Sequence, residues 1–172
     1  MDRTDPDLRA DELTMLSQFL DYHRATMITR IEGLTREQLA IARPPSALTL
    51  AGLVKHLALV EDSWFVDRMA GQPMPEPWAS APWDDDPDWE FHTAIDDSPE
   101  DLLEQYRVSC ERSRAVVAQI GDLDAVSVAE SKQPGEGRFS LRWILLHMIE
   151  ETARHNGHLD AVRELVDGVV GE

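Results

Sequence analysis

Four potential metal ligands lie on one predicted helix near the C-terminus of this chain. They are His147, Glu151, His155 and His158. At roughly 100° per residue these side chains fall within an arc of about 80° on a helical wheel, and the rest of that arc is apolar. Polar and charged groups on an apolar face cost free energy unless something binds them. Glu151 and His155 are also one turn apart, the spacing of the histidine pair in helical zinc motifs. A metal ion is therefore the simplest explanation.

His56 supplies a third candidate ligand from a second predicted helix, where it borders a wide apolar face. Two imidazoles and one carboxylate form the donor set of an open catalytic site, which keeps room for water. Structural interpretations also exist, because a buried histidine can hydrogen-bond a carbonyl and Glu151 can pair with an arginine of another helix. We predict that His56, Glu151 and His155 bind a divalent metal. Zinc is favoured, although nickel, iron and manganese accept the same donors.

Three more residues of the C-terminal helix are candidates for catalysis. His158 could be a fourth ligand, a group that transfers protons or, as we favour, a residue that hydrogen-bonds a ligand. His147 has the same possible roles, and its structural interpretation is a core histidine with satisfied hydrogen bonds. Arg154 could bind an anionic substrate, orient Glu150 or form only a surface ion pair. We therefore predict His158, His147 and Arg154 as catalytic residues.

The composition excludes several kinds of partner. The 172 residues include 33 acidic and 16 basic side chains, which gives a formal net charge of −17. Such a chain does not offer the clustered lysines and arginines that bind nucleic acid or anionic membranes. The charged N-terminus lacks a signal-peptide core, and no apolar run reaches transmembrane length. We expect a cytoplasmic protein. Its only cysteine, Cys110, lies on an apolar face and is predicted to be a small core residue.

Four segments with apolar residues spaced by threes and fours predict an all-α helical bundle, organised as a single domain over residues 1–172. The predicted helices span residues 11–31, 49–71, 98–121 and 140–166. Ser98 and Ser140 are candidate N-caps, and Gly168 is a candidate C-terminal breaker. Thr35 and Gln38 form a capping-box pattern for a short extra turn, and the proline pair at residues 44–45 predicts an extended connection.

Two connections between these helices are predicted to be irregular. Residues 71–97 are rich in proline and contain Trp78, Trp83 and Trp89, so they could roof the bundle or contact a second subunit. The acidic run at residues 84–88 lacks the glycine and the terminal glutamate of a calcium-binding hand, which favours a solvated loop. Residues 122–138 are predicted to be a second loop with a turn at residues 134–137.

Over residues 13–171 the chain resembles the DinB superfamily of four-helix metalloproteins. The resemblance rests on Leu53-Val-Lys-His56-Leu-Ala, on Gly33-Leu-Thr-Arg-Glu-Gln-Leu and on Glu151-Thr-Ala-Arg-His155-Asn-Gly-His158-Leu-Asp. More closely, the chain looks like the actinobacterial branch of unknown function, which is related to mycothiol-dependent maleylpyruvate isomerases. By position, Glu151 replaces the middle histidine of the superfamily and matches the His-Glu-His site of those isomerases.

The resemblance implies a DinB-like bundle with a metal held by His56, Glu151 and His155. It also implies that a small thiol such as mycothiol is the cosubstrate in S-transfer or isomerisation of a small electrophile. In this interpretation His158 or His147 moves protons, Arg154 holds an acidic acceptor and the tryptophan-containing segment closes over the electrophile. The alternatives are hydrolysis by metal-bound hydroxide and a non-catalytic bundle that binds a metal or ligand. Bundles of this superfamily often pair, so we expect a homodimer.

Overall fold

The computed structural model describes residues 3–42 and 46–171, and most of these residues are helical. The α-helices in this part of the chain are α1 (Glu12–Ile31), α2 (Arg36–Leu39), α3 (Leu50–Glu61), α4 (Trp89–Thr93), α5 (Pro99–Ile120) and α6 (Leu141–Asp167). The helix α1 packs against α6, and α3 packs against α5. These four longer helices form the predicted all-α, DinB-like bundle. The extended connection predicted at residues 44–45 lies outside the described residues.

Local sequence signals explain where the longer helices begin and end. The side chain of Ser98 accepts a hydrogen bond from the Asp101 backbone N–H, and Ser140 caps α6 in the same way. Gly168 ends α6 in the left-handed conformation, with φ of 79°. The capping box between Thr35 and Gln38 is present at α2. The predictions of these caps from the sequence are confirmed.

The second predicted helix changes its type halfway along. After α3, residues Asp62–Met69 continue as a π-helix, in which the Ala70 N–H donates to the Phe65 carbonyl, five residues back, over 3.1 Å. Hydrophobic spacing does not distinguish such a segment from an ordinary helix, and the sequence predicted one regular helix here. Wider turns of this kind occur frequently at functional sites. The π-helix faces the second irregular connection of the chain, residues 122–138.

The first irregular connection, residues 71–97, is anchored to the bundle through buried Asp62. Asp62 accepts hydrogen bonds from Trp78 Nε1 at 2.9 Å, from Ser109 Oγ at 2.7 Å and from Arg112 Nε at 2.8 Å. Trp83 Nε1 in turn donates to the Trp78 carbonyl over 3.0 Å. The tryptophan-containing segment therefore packs on its own chain, and it includes α4, a short helix that the sequence analysis did not predict.

The second connection contains a small antiparallel sheet that the sequence analysis missed. Strands β1 (Val126–Glu130) and β2 (Arg138–Ser140) pair with Glu130 opposite Arg138, and the predicted turn joins them. Strand β1 packs on the π-helix, at whose end Gly71 has φ of 65° and lies against Val128. A Cβ atom at Gly71 would come within 2.8 Å of the Val128 side chain, so glycine permits this contact.

The core consists of two hydrophobic clusters, with a buried ion pair at the level where they meet. One cluster includes Met27, Ile31, Leu53, Leu57, Leu102 and Tyr106, and the other includes Leu20, Phe65, Met69, Leu141, Ile144 and Met148. Arg24 and Glu61 lie between these groups along α1 and α3. Two hydrogen bonds of 2.7 and 2.6 Å join their side chains, both of which are buried. Within residues 3–42 and 46–171, no helix is long and apolar enough to cross a membrane.

Candidate metal centre

His56, Glu151 and His155, the three predicted ligands, come together where α3 meets α6. Nε2 of His56 lies 3.7 Å from Oε1 of Glu151, and Nε2 of His155 lies 3.1 Å from the same oxygen. One ligand atom from each of the three residues lies within 4.8 Å of the other two. We call these residues the His-Glu-His cluster. Its side chains are partly buried, so the cluster combines a protected position with access from outside.

The spacing of these atoms suits a small divalent cation. Donor atoms of a tetrahedral zinc site are about 3.3 Å apart when each lies about 2.0–2.1 Å from the metal. The two measured separations from the Glu151 oxygen lie on either side of this value. The donors also match in type, because imidazole nitrogen and carboxylate oxygen are both common zinc ligands. The residues present therefore fit a metal ion with only small adjustments of the side chains.

Two residues of α4 hold the His56 ring in place. Oε1 of Glu90 lies 2.9 Å from Nδ1 of His56, and the Phe91 ring stacks on the imidazole with a centroid separation of 4.9 Å and an interplanar angle of 24°. A carboxylate on Nδ1 favours the tautomer with its proton there, which leaves Nε2 free to bind a metal. Sequence reasoning missed Glu90 and Phe91, because their short helix lies in an irregular segment without a periodic pattern.

Gly52 makes this arrangement possible, one turn before His56 on α3. A Cβ atom at Gly52 would lie 2.8 Å from Cδ1 of Phe91, closer than real contacts of this type. Any larger residue at this position would push the Phe91 ring away from α3. The absence of a side chain at Gly52 therefore lets α4 come close enough for Phe91 to stack on the His56 ring.

Hydrogen bonds within the cluster determine its charge in the absence of a metal. Burial lowers the pKa of His56, but hydrogen bonds to Glu151 and Glu90 outweigh burial and raise this pKa to about 9. Hydrogen bonds from His155 and His56 hold the pKa of Glu151 well below its usual range. Without a metal, a proton on His56 thus balances part of the negative charge, and a cation that binds there replaces this proton.

The three predicted catalytic residues lie in different surroundings. Exposed His158 adjoins the cluster, with its Nδ1 3.5 Å from Nδ1 of His155. His147 packs between two tryptophans, with ring centroids 4.6 Å from Trp64 and 5.1 Å from Trp143. Arg154 forms an ion pair with Glu150 on the exposed side of α6. The structure therefore brings His158 to the cluster, places His147 in an aromatic group and leaves Arg154 paired at the surface.

A cavity with a volume of about 630 Å³ adjoins Glu90. We call it the side cavity. The π-helix, the tryptophan-containing segment and the end of β1 form its walls. Its lining includes Ser63, Trp64, Asp67, Arg68, Trp83, Glu90, Glu130 and Lys132. Since Glu90 also contacts His56, the side cavity and the His-Glu-His cluster share a wall.

Cys110 lies in the bundle core, away from solvent. Only 1% of its surface is exposed, and burial raises the pKa of the thiol well above its ordinary value. A thiol in this state is not a nucleophile at neutral pH. The prediction that Cys110 is a small core residue agrees with this position.

The model of the family described as Mycothiol-S-transferase matches residues 15–168, which is most of the chain. A comparison with curated proteins gives no match. The matched region contains all four longer helices in nearly their full length, together with the His-Glu-His cluster. The chain therefore belongs to the mycothiol S-transferase family, within the DinB-like superfamily.

Proposed function

We propose that this protein joins mycothiol, through its sulfur, to a small electrophile, with a divalent metal ion, zinc by preference, held by the His-Glu-His cluster. The observation that carries the proposal is the meeting of His56, Glu151 and His155 at separations suited to a metal. Membership of the mycothiol S-transferase family supports the choice of thiol. The three protein donors leave further coordination positions free, which is typical of catalytic and not of structural zinc sites.

The absence of a reactive protein thiol fits this proposal. Cys110 is buried and its thiol pKa is raised, so the attacking sulfur comes from a cosubstrate. A bound divalent cation would lower the pKa of a coordinated thiol, so that the thiolate forms at neutral pH. In the transfer itself, the sulfur forms a bond to an electrophilic carbon while the bond from that carbon to its leaving group breaks, as with chloride in a chloroarene, and the thiol proton passes to a base or to water.

The chain's own residues position and exchange protons around this step. Glu90 holds Nδ1 of His56, so that Nε2 faces Glu151. His158 lies beside His155 and is exposed, so we propose that it passes the thiol proton to solvent. His147 is a secondary candidate for proton transfer, and Arg154 is a secondary candidate for substrate binding. Their contacts are with Trp64, Trp143 and Glu150.

The first experiment measures metal content and thiol transfer in the same preparations. Protein purified without a metal-affinity tag is analysed by mass spectrometry for metals and assayed with mycothiol and 1-chloro-2,4-dinitrobenzene. We expect about one metal per chain and thiol-dependent product in the wild type. The variants Glu151→Ala and His155→Ala are expected to lose both.

The matched control is Asp86→Ala, because Asp86 forms a similar carboxylate–histidine pair with exposed His92 outside the cluster. This variant should keep its metal and its activity. A wild type without metal would contradict the proposed metal dependence. Turnover that proceeds equally well without mycothiol would instead favour hydrolysis.

A further inference from the structure

Lys55, the residue before His56 on α3, is buried against the segment that contains α4. Only 4% of its surface is exposed. Its Nζ donates to Thr93 Oγ1 over 2.9 Å and to Asp97 Oδ2 over 2.6 Å. The same nitrogen lies 4.7 Å from the centre of the Trp89 ring. Because a lysine is almost never buried without partners of this kind, these contacts give Lys55 a fixed place against the segment.

The partners of Lys55 lie on either side of the two residues that hold the candidate metal-binding histidine. Trp89 and Thr93 are the first and last residues of α4. Glu90 and Phe91, which contact the imidazole ring, lie between them. The Thr93 hydroxyl also donates to the Trp89 carbonyl over 2.7 Å, which joins the two ends of this short helix. Lys55 therefore contacts both ends of the helix whose middle contacts the ring.

The helix α4 has little stability of its own. It contains five residues, far fewer than the roughly 12 at which an isolated helix begins to be stable in water. Its N-cap residue, Asp88, makes no side-chain capping hydrogen bond within the described part of the chain. Tertiary contacts must therefore fix the position of α4. Lys55 supplies the segment with an ion pair, a hydrogen bond and a contact with an aromatic ring.

We propose that Lys55 is a positioning residue of the candidate metal centre and acts through α4. Its contacts keep Oε1 of Glu90 at hydrogen-bond distance from Nδ1 of His56, so that Nε2 keeps its direction toward Glu151. A hydrogen bond of this kind is lost when its atoms move apart by about 1 Å, so a small displacement of α4 is enough to release the ring. The inference rests on the proposed function, because the ligand role of His56 belongs to that proposal.

A purely structural role of Lys55 predicts a different result. An ion pair that only stabilises the fold lowers the free energy of unfolding when it is removed, and it leaves the zinc affinity of the folded protein unchanged. A positioning role changes that affinity. Because Lys55 and Glu90 act on the same imidazole ring, the effects of replacing them should also depend on each other.

The main test is a double-mutant cycle on zinc affinity, measured with folded protein by competition with a chromogenic chelator. We expect Lys55→Met to raise the zinc dissociation constant about tenfold, because Glu90 loses its fixed position beside the ring. In the Glu90→Ala background the same change should add at most about twofold, since no carboxylate remains to be positioned. Thr93→Val removes one acceptor of Lys55 and should raise the constant about threefold. This variant keeps the shape of the side chain, so it decides the test if Lys55→Met does not fold.

Two control variants separate positioning from general stability. Arg36→Met removes an exposed contact between α2 and residues Ile95 and Asp96, just after α4. Glu61→Gln removes the buried partner of Arg24 and destabilises the bundle. Both variants should bind zinc within about twofold of the wild type, because neither change touches a contact of Lys55. A tenfold loss in either variant would show that zinc affinity follows the stability of the fold, and it would overturn the inference.

A second measurement separates this inference from the proposed function, because it does not require a metal. The proton on Nδ1 of His56 should exchange slowly with water while Glu90 holds it, and NMR of protein with isotope-labelled histidine measures this rate. We expect exchange about tenfold faster in Lys55→Met, with or without zinc. Unchanged exchange in the folded variants, or zinc effects that multiply in the double mutant, would overturn the positioning role. Lys55-dependent exchange in a protein that binds no zinc would support that role and contradict the proposed function.

Discussion

Glu90 Oε1 lies 2.9 Å from His56 Nδ1, so a residue of the tryptophan-containing segment directly contacts the candidate metal-binding histidine of α3. Carboxylates in this position orient a ligating imidazole and increase its basicity. Glu90 is also a lining residue of the side cavity, and the Phe91 ring stacks on the imidazole of His56. The short helix α4 is therefore part of the candidate metal centre and not only a connection.

Removal of the Glu90 carboxylate should weaken metal binding. We expect Glu90→Ala to raise the metal dissociation constant about 10–100-fold, because His56 loses the partner that fixes its tautomer. Glu90→Gln keeps an acceptor for Nδ1 and should recover part of the affinity. Competition with a chromogenic chelator measures these constants, and Asp86→Ala at the exposed His92 pair serves as the control. Equal affinities in Glu90→Ala and the wild type would contradict a positioning role.

Loss of the buried ion pair should destabilise the bundle. We expect Glu61→Gln to reduce the free energy of unfolding by about 3 kcal/mol, because Arg24 keeps its charge without its main partner. The contact of Arg24 with Asp21 places this loss at the low end of the range for buried pairs. Urea denaturation of the metal-free protein measures the effect. The exposed pair Glu32–Arg107 provides the comparison, and Glu32→Gln should cost much less. Equal losses in the two variants would argue against this account.

His147 should be neutral at pH 7. Burial beside Trp64 and Trp143 lowers its pKa from the ordinary value of 6.5. Since the folded-state pKa lies below the unfolded one, its contribution to stability is present above about pH 6.5 and is lost as the pH falls through the folded-state pKa. Titration of the imidazole proton resonances by NMR, assigned with His147→Gln, measures this value. A pKa at or above 6.5 would show that burial does not control the protonation of His147.

Cys110 should be unreactive in the folded protein and dispensable for activity. The raised thiol pKa and the exposure of only 1% predict that iodoacetamide modifies Cys110 at pH 8 only after denaturation. Cys110→Ala should keep its thiol-transfer rate within about twofold, provided that circular dichroism shows the same helix content. Mass spectrometry of the alkylated protein gives the first result. Rapid labelling of the native chain would show that the core opens near Cys110.

The His-Glu-His cluster could be predicted because its spacing follows the helix. Glu151 and His155 are one turn apart, so a regular α-helix brings both side chains to one point without any knowledge of tertiary structure. His56 was found in the same way, from its position beside an apolar face. Glu90 and Phe91 lack such a pattern, since the fold of residues 71–97 depends on the contacts of Asp62 with Trp78 and Arg112.

The two strands escaped prediction for a related reason. Strand β1 is five residues long and its one buried residue is the polar Ser127, so the brief alternation of residues 126–128 does not mark an apolar face turned to the core. Its exposed valines, Val126 and Val128, are the only strong signal for extended structure. Packing on the π-helix and pairing with β2, both tertiary contacts, are what stabilise it.

The π-helix between Asp62 and Met69 has a consequence for the comparison of related chains. Each wide turn contains more residues than an α-helical turn, so the positions after it are rotated relative to His56. A relative with a regular α-helix in this segment would have to lack a residue between its equivalents of His56 and Arg68. Only then would both side chains point in the same directions as they do here. An alignment without a gap in this segment would therefore match Arg68 to a residue on a different face of the helix.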